Sequence, residues 1–536
     1  MPTPMMSRVC QFCFVPIFLL LFTCSLVAQQ ARISTLPPPK RLKPARVVKA
    51  HNKFLNALKF IKNGKHLLTV GINELKEWNL DTGKPVRSLS LPHQVSDDAV
   101  FSRSGKLVAF TLAGGADLCV LNTVTGKEIL HLKRTNRLIC YSAIALSPDG
   151  SLLAASDTGA GLIFFWNVSN GRQIARVNAR MDIHTIHFSP CGKILSSSGE
   201  DRVVRLWNCR KGKVVRHFTH SEQARIIESS CFAPNGKFFA TTVRYSPVVY
   251  LWSLATGKLW KEIRFPTRPR TIEDLSNRRR FLRLAHVSFS PDGRKIVVGG
   301  EDKHGSFLSI WEVATGSMIC HWASGEWENA WSNDGSQLAT SIGRPANFSI
   351  WQLSSFYLSG QPITKQLTKQ QLAKLWQNLA SPEASVAFRA IEILRSFPEK
   401  SVPRAEQHLT RLRVASDQQL QRLLVGLSDD RFEIREQASQ TLRNLGLQIL
   451  PLAQKAIANK QTDPEARKRL KILLNMLQDP FNPERLLHLR LVEIFERIGN
   501  PVAVRLLKLL MTRKPGELAT EARLALRRLS MRKLAQ

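Results

Sequence analysis

Acidic residues are scarce in this chain. Across 536 residues, 41 Asp and Glu face 77 Lys and Arg, for a formal charge of +36. Such an excess draws polyanions: nucleic acid, an anionic membrane surface or an acidic wall polymer. No long Lys/Arg run concentrates it, so a solvated basic surface is the plain alternative. Catalytic motifs are scarce too. No Gly-x-Ser-x-Gly elbow and no His-Glu-x-x-His pair occurs, which removes those routes to a hydrolase. Gly83-Lys84, Gly126-Lys127, Gly212-Lys213 and Gly257-Lys258 are not phosphate loops, because Trp78, Leu121, Trp207 and Trp252 stand where a Walker loop needs its first Gly. His184 and His187 are three apart on a predicted strand, point to opposite faces and share no metal. The expectation is a non-catalytic protein with no cofactor and no metal.

Charge is almost missing from the first 28 residues, where Arg8 stands alone. An apolar run from Val15 to Ala28 ends in Leu26-Val27-Ala28, the layout of a signal peptide (residues 1–28) cleaved after Ala28. Extended back to Val9, the run reaches the ~20 residues of a bilayer span, so an uncleaved anchor is the alternative. A Pro-rich linker covers 29–43. Export to the periplasm, envelope or exterior is expected, which makes nucleic acid an unlikely partner. Of nine cysteines, Cys10, Cys13 and Cys24 fall in the leader. Most of the other six read as small buried hydrophobes. Cys191 and Cys209, on turns at one end of one repeat, are the plausible disulfide.

What the sequence has is a repeat. A tight turn ending in Gly recurs seven times: Asn63-Gly64, Ser104-Gly105, Ser147-Pro148-Asp149-Gly150, Ser189-Pro190-Cys191-Gly192, Ala233-Pro234-Asn235-Gly236, Ser290-Pro291-Asp292-Gly293 and Ser332-Asn333-Asp334-Gly335. This is hairpin chemistry. A Trp closes a β-rich run after six of them: Trp78, Trp166, Trp207, Trp252, Trp311 and Trp351, with Leu121 in the second repeat. A Gly follows five residues later in the first six repeats, often as Thr-Gly-Lys, and is absent from the seventh. A Trp at one fixed place per repeat is core packing between sheets. Each repeat then offers three strands and a fourth that leads to the next. The segment Ala45–His51 resembles those fourth strands and is expected to complete the last repeat, closing a ring of seven blades from 44 to 355.

These markers resemble WD40 repeats. His51 stands nine residues before Phe60, and Asp201 six before Trp207, as the family's His and Asp do. The family's Asp after the Trp is replaced by Asn79, Asn122, Asn167, Asn208, Ser253, Glu312 or Gln352. The family's buried Asp–His–Ser/Thr–Trp set is mostly absent, and no blade is expected to carry it whole. The order of Trp before Thr-Gly is the reverse of the quinoprotein pattern.

After about residue 360 the apolar period becomes helical, as in Leu487, Leu491, Ile494 and Ile498. Ser381-Pro382-Glu383, Ser416-x-x-Gln419, Thr462-Asp463-Pro464 and Asn482-Pro483 read as helix starts, and Gly446 and Gly499 as stops. About nine or ten short helices over 356–536 are expected to stack as a solenoid. The segments 430–438 and 464–469 resemble HEAT repeat helices. The predicted fold is therefore a seven-bladed WD40-like β-propeller followed by a HEAT- or armadillo-like α-helical solenoid. The whole layout resembles exported WD40 proteins predicted in planctomycete bacteria.

Two features invite a binding role. Between Gly257 and Gly293 the chain runs about a dozen residues beyond its equivalents, carrying Arg268, Arg270, Arg278, Arg279, Arg280 and Arg283. Clustered guanidinium groups suit carboxylate or phosphate partners. Trp322, Trp327 and Trp331 lie off the Trp register and are candidates for a ligand surface. The implied function is a protein–protein scaffold. A polyanion binder is the first alternative, and an enzyme at the channel of the ring is the second.

Overall fold

The computed structural model describes residues 43–534, apart from 53, 113–116, 134–139, 158, 181, 222–225, 267–281, 303, 325–327, 343–345, 355–366, 412–414, 460 and 513–516. The expected signal peptide (residues 1–28) and all but the last residue of the expected linker lie outside the described residues.

Seven four-stranded antiparallel sheets form the ring. Six are meanders of consecutive strands. Blade six, for example, runs Arg283–Phe289, Lys295–Asp302, Gly305–Glu312 and Met318–Ala323. The second and third strands of each blade are buried on both faces and read as nearly unbroken apolar runs. Those of blade six contribute Ile296, Val297, Val298, Phe307, Leu308 and Ile310, all fully buried. Outer strands alternate between partly buried and exposed side chains.

The seventh blade takes its outer strand from the start of the chain. Arg46–Lys49 pairs antiparallel with Asn347–Gln352, with Arg46 opposite Ile350 and Lys49 opposite Asn347. The Arg46 guanidinium then donates to the Asp81 carbonyl of blade one at 2.8 Å, tying the closing strand to the neighbouring sheet. The expected closure is what the structure contains.

The six repeat tryptophans are 3–6% exposed, wedged between sheets. Five donate their indole N–H to a hydroxyl. Trp78 bonds Thr69, Trp207 bonds Ser197, Trp252 bonds Thr241, Trp311 bonds Ser309 and Trp351 bonds Thr340, at 2.8–3.0 Å. In blade one His51 extends this chain, with Nε2 2.9 Å from the Thr69 hydroxyl and Nδ1 3.0 Å from Glu74. In blade five His220 does the same, 3.1 Å from the Thr241 hydroxyl. The polar set is thus less degenerate than expected. Blade one carries it with Glu74 as the acid, and blade five carries all but the acid. Asp201 does not join such a set: it accepts from the Val203 N–H and pairs with Arg205 at 2.6 Å.

The Asn residues that replace the family's Asp do an equivalent job. Each of Asn79, Asn122, Asn167 and Asn208 accepts, through its amide oxygen, the N–H groups two and three residues on. A neutral oxygen caps the turn without needing a charge. The following glycine, Gly83 in blade one, has φ +72°, and a Cβ there would lie 2.0 Å from the Arg46 guanidinium.

Ten α-helices follow among the described residues: α1 Lys369–Leu379, α2 Ala384–Ser396, α3 Pro398–Arg411, α4 Asp417–Gly426, α5 Phe432–Leu445, α6 Leu450–Ala458, α7 Pro464–Gln478, α8 Pro483–Ile498, α9 Pro501–Thr512 and α10 Glu517–Leu534. Their ends follow the local sequence. Ser416, Asp463 and Asn482 accept N–H groups of the first turns of α4, α7 and α8. Gly499 ends α8 in the left-handed region. The stacking is not strictly one after another. Helices α1–α3 share a core with α8–α10, around Leu394, Leu409, Leu491, Phe495, Leu507 and Ala522. Helices α4–α7 bury a second cluster around Leu420, Leu442, Ala453 and Leu470. The apolar stripe of α8 is wide enough to serve several neighbours, with Leu487, Leu491, Val492, Ile494 and Phe495 all buried.

Two predictions follow from ring closure and from the buried histidines. Deleting residues 43–50 exposes the edge of Asn347–Gln352, and the truncated chain is expected to melt earlier and to self-associate with concentration. A monomer of unchanged melting temperature contradicts this; sedimentation and thermal unfolding decide. Burial lowers His220, His286 and His488 to about 4. An unfolded His takes its proton near pH 6.5, so the unfolded state binds more protons below that value. Stability is therefore level above about pH 6.5 and declines as pH falls toward about 4. A melting temperature that stays level down to pH ~5 contradicts the assignment.

Candidate functional site: the two ends of the ring

Antiparallel meanders give the ring two unlike ends. The turns between first and second strands share one end with the turns between third and fourth, as the Leu80 N–H to Lys65 carbonyl and Val168 N–H to Ser151 carbonyl bonds show. The remaining loops lie at the other end. Here the first are called the turn end and the second the loop end.

The chain's own helices cover the turn end of blade six and touch its neighbours, blades five and seven, along their near sides. Arg490, 2% exposed on α8, forms a forked pair with Glu312 of blade six, Nε to Oε1 at 2.9 Å and Nη2 to Oε2 at 2.8 Å. Its Nη1 donates to the Leu379 and Ser381 carbonyls, both at 2.6 Å, so one guanidinium joins the ring, α1 and α8. The Lys295 ammonium lies 2.5 Å from Glu493 and sits over the Phe388 ring at 4.8 Å. Arg294 reaches Glu496 at 2.9 Å, and Glu496 also takes Arg528 and Arg532. Lys237 of blade five pairs with Glu521 at 3.6 Å. Beside these charges Phe388 and Ala384 of α2 pack with Trp322, Trp351, Leu308 and Leu353.

Burial pushes the Glu312 carboxyl up, but the Arg490 hydrogen bonds and charge outweigh it and hold it below the ordinary range. Glu496 is treated the same way by Arg294 and Arg528. Paired carboxylates and guanidinium groups of this kind tolerate loss of a partner poorly.

None of these ion pairs lies at the loop end. Phe265-Pro266 and Leu282, which flank the long insertion, sit there between blades five and six. Arg268, Arg270, Arg278, Arg279 and Arg280 lie outside the described residues, as does Trp327. Arg283 is described, and its guanidinium is engaged within the fold: Nη2 lies 3.1 Å from Glu228, which Arg244 also holds. Next to them Tyr245 is 51% exposed in a left-handed conformation.

Two candidates fall elsewhere. Trp322 is not a surface residue: it is fully buried against Trp351, ring centroids 5.5 Å apart, and Trp331 is partly buried beside it. Cys191 and Cys209 are free thiols, not a disulfide. Cys191 is exposed with its sulfur 3.4 Å from the Ser189 hydroxyl, whereas Cys209 is buried in the core beside Trp207 and Leu195. On the inner strands, hydroxyl and amide groups tie blade to blade. Thr185 meets Ser230 at 3.0 Å, and Asn329 bridges Ser288 at 2.6 Å and His286 at 2.9 Å. In the helical region Val425, Phe432, Ile472 and Met476 are exposed, and a groove along α5 is lined by Phe432, Glu436 and Gln440.

Residues 172–208, spanning the outer strand of blade three and the first three strands of blade four, match the family model described as WD domain, G-beta repeat. The ring is a seven-bladed β-propeller in which this repeat is similar to WD40 repeats. Similar curated proteins include small ribosomal subunit protein RACK1 of Drosophila melanogaster, 28% identical over 132 residues, 25% of this chain and 37% of that protein. Pre-mRNA-processing factor 19 homolog 2 of Arabidopsis thaliana is 23% identical over 258 residues, 47% of this chain and 46% of that protein. Periodic tryptophan protein 2 homolog of Schizosaccharomyces pombe is 24% identical over 192 residues, 33% of this chain and 21% of that protein. The matches span less than half the length of each relative. In this ring the turn end of blade six is committed to the chain's own helices.

Sequence reasoning missed Glu312, Glu493, Glu496 and Arg490. The signal was present in part: blade six alone has Glu in the place that Asn fills in blades one to four. Arg490→Ala leaves Glu312 buried without its partner and is expected to cost about 3–5 kcal/mol. The single unfolding transition should split, with the helical region released first. A shift below about 0.5 kcal/mol contradicts the role given to this pair.

Proposed function

We propose that this protein is an exported protein-interaction scaffold that captures its partner at the loop end of the WD40 ring. The observation that carries this reading is the coverage of the turn end. With blade six capped by α2 and α8, the loop end is the face we assign to a large partner. Phe265-Pro266 and Leu282, which flank the Arg-rich insertion, lie at that end, on a rigid support of the kind that positions binding loops. Guanidinium groups there suit a partner surface rich in carboxylates. Export rests on the leader-like first 28 residues, and the mature chain is proposed to begin at Gln29.

A second reading is favoured by the charge of +36. In it the chain binds an anionic polymer or membrane surface through its whole field. Salt separates the two. Polyanion binding falls steeply and linearly in log–log form with added salt, in proportion to the contacts made. Capture by a folded protein surface depends less on salt and more on particular residues.

The test is capture of cross-linked partners by the full-length protein and by a variant with Arg278, Arg279 and Arg280 changed to Glu. The variant is expected to melt as the parent does and to lose its partner. Capture unchanged by the triple reversal overturns the assignment of the insertion.

A further inference from the structure

Blade two carries a cluster that the scaffold reading does not use. Its outer strand, Glu128–Leu132, pairs with Leu118–Asn122 through a bulge: Leu121 faces Glu128, whereas Val120 faces Leu130. In a regular strand residues three apart point to opposite faces. The extra residue restores Glu128 and His131 to one side, as bulges commonly re-aim side chains. His93, on the segment joining blade one to blade two, meets them there.

The distances are those of a ligand set. His93 Nε2 lies 3.1 Å from Glu128 Oε2, and His131 Nδ1 lies 3.6 Å from Glu128 Oε1. The three residues bring one ligand atom each within 4.8 Å of one another. A tetrahedral ion with bonds of ~2.0–2.1 Å places its ligand atoms about 3.3–3.4 Å apart. The other nitrogen of His131 lies 3.4 Å from Asp117 Oδ2. That is the outer-shell arrangement in which a carboxylate takes the second N–H of a metal-bound imidazole and fixes its tautomer. Beneath the cluster the fully buried Cys119 thiol is 3.6 Å from Glu128 Oε2.

We propose that His93, Glu128 and His131 bind one divalent transition-metal ion of the zinc class, with Asp117 orienting His131. Two imidazoles and one carboxylate favour zinc and its neighbours over calcium or magnesium, which take all-oxygen shells. Three protein ligands on a partly exposed surface leave a fourth position for water or for a donor from another molecule. His93 lies on the segment leading from blade one, so an ion there ties that segment to the outer strand of blade two as well.

Titration of metal-free, full-length protein with Co²⁺ tests the site, since its visible spectrum reports coordination geometry. One saturable equivalent with tetrahedral bands, displaced by Zn²⁺ and lacking a thiolate charge-transfer band, is expected. The H93A/H131A double variant should lose these bands. D117N should keep the spectrum but bind about 10–100-fold more weakly. Zn²⁺ should raise the melting temperature of the parent and leave the double variant unmoved, which also shows that the variant folds. Bands that survive in the double variant, or the absence of saturable uptake by the parent, overturn the proposal.

Discussion

Arg490 is the group on which the architecture turns. Its guanidinium is almost wholly removed from water, and that costs several kcal/mol unless its donors are matched. Glu312 takes two of its N–H groups, and the carbonyls at Leu379 and Ser381 take more. The match needs α1, the turn before α2, α8 and the turn end of blade six all in place together. Around it the Lys295–Glu493 and Arg294–Glu496 pairs repeat the principle with the same two partners, blade six and α8. Apolar packing of Phe388 against the seam of blades six and seven supplies attraction, while the ion pairs supply register.

That commitment depends on a closed ring. A blade offers a fixed docking face only if its neighbours hold it, and blade seven is complete only once Arg46–Lys49 has returned to Asn347–Gln352. Both ends of the propeller sequence therefore meet beside the helical region. The outcome is a ring whose blade six is held by the chain's own helices at its turn end.

The ring was legible in the sequence because its signals repeat. Seven Gly turns and six Trp residues at constant spacing average out local noise, and the closing strand follows from the one missing turn. Helix starts were legible for a related reason: Asp463-Pro464 and Asn482-Pro483 are local chemistry that needs no partner. What could not be read depends on tertiary meeting. Nothing in the spacing of Glu312 and Arg490, 178 residues apart, joins them. Trp322 has the profile of a surface aromatic until Phe388 covers it. Blade five hides its His220 because the variable loop that follows shifts it away from the position of His51. His93, Glu128 and His131 stayed hidden because their convergence needs a bulge.

Hydrogen exchange on the intact protein tests coverage of the turn end most directly, because the repeat supplies its own control. The Gly150 and Gly293 N–H groups make the same bond, to the Ser147 and Ser290 carbonyls, at 2.8 Å in each case. They differ in what lies over them. The account predicts slower exchange for the turns of blade six than for those of blades two and three. Equal rates around all seven blades would contradict it.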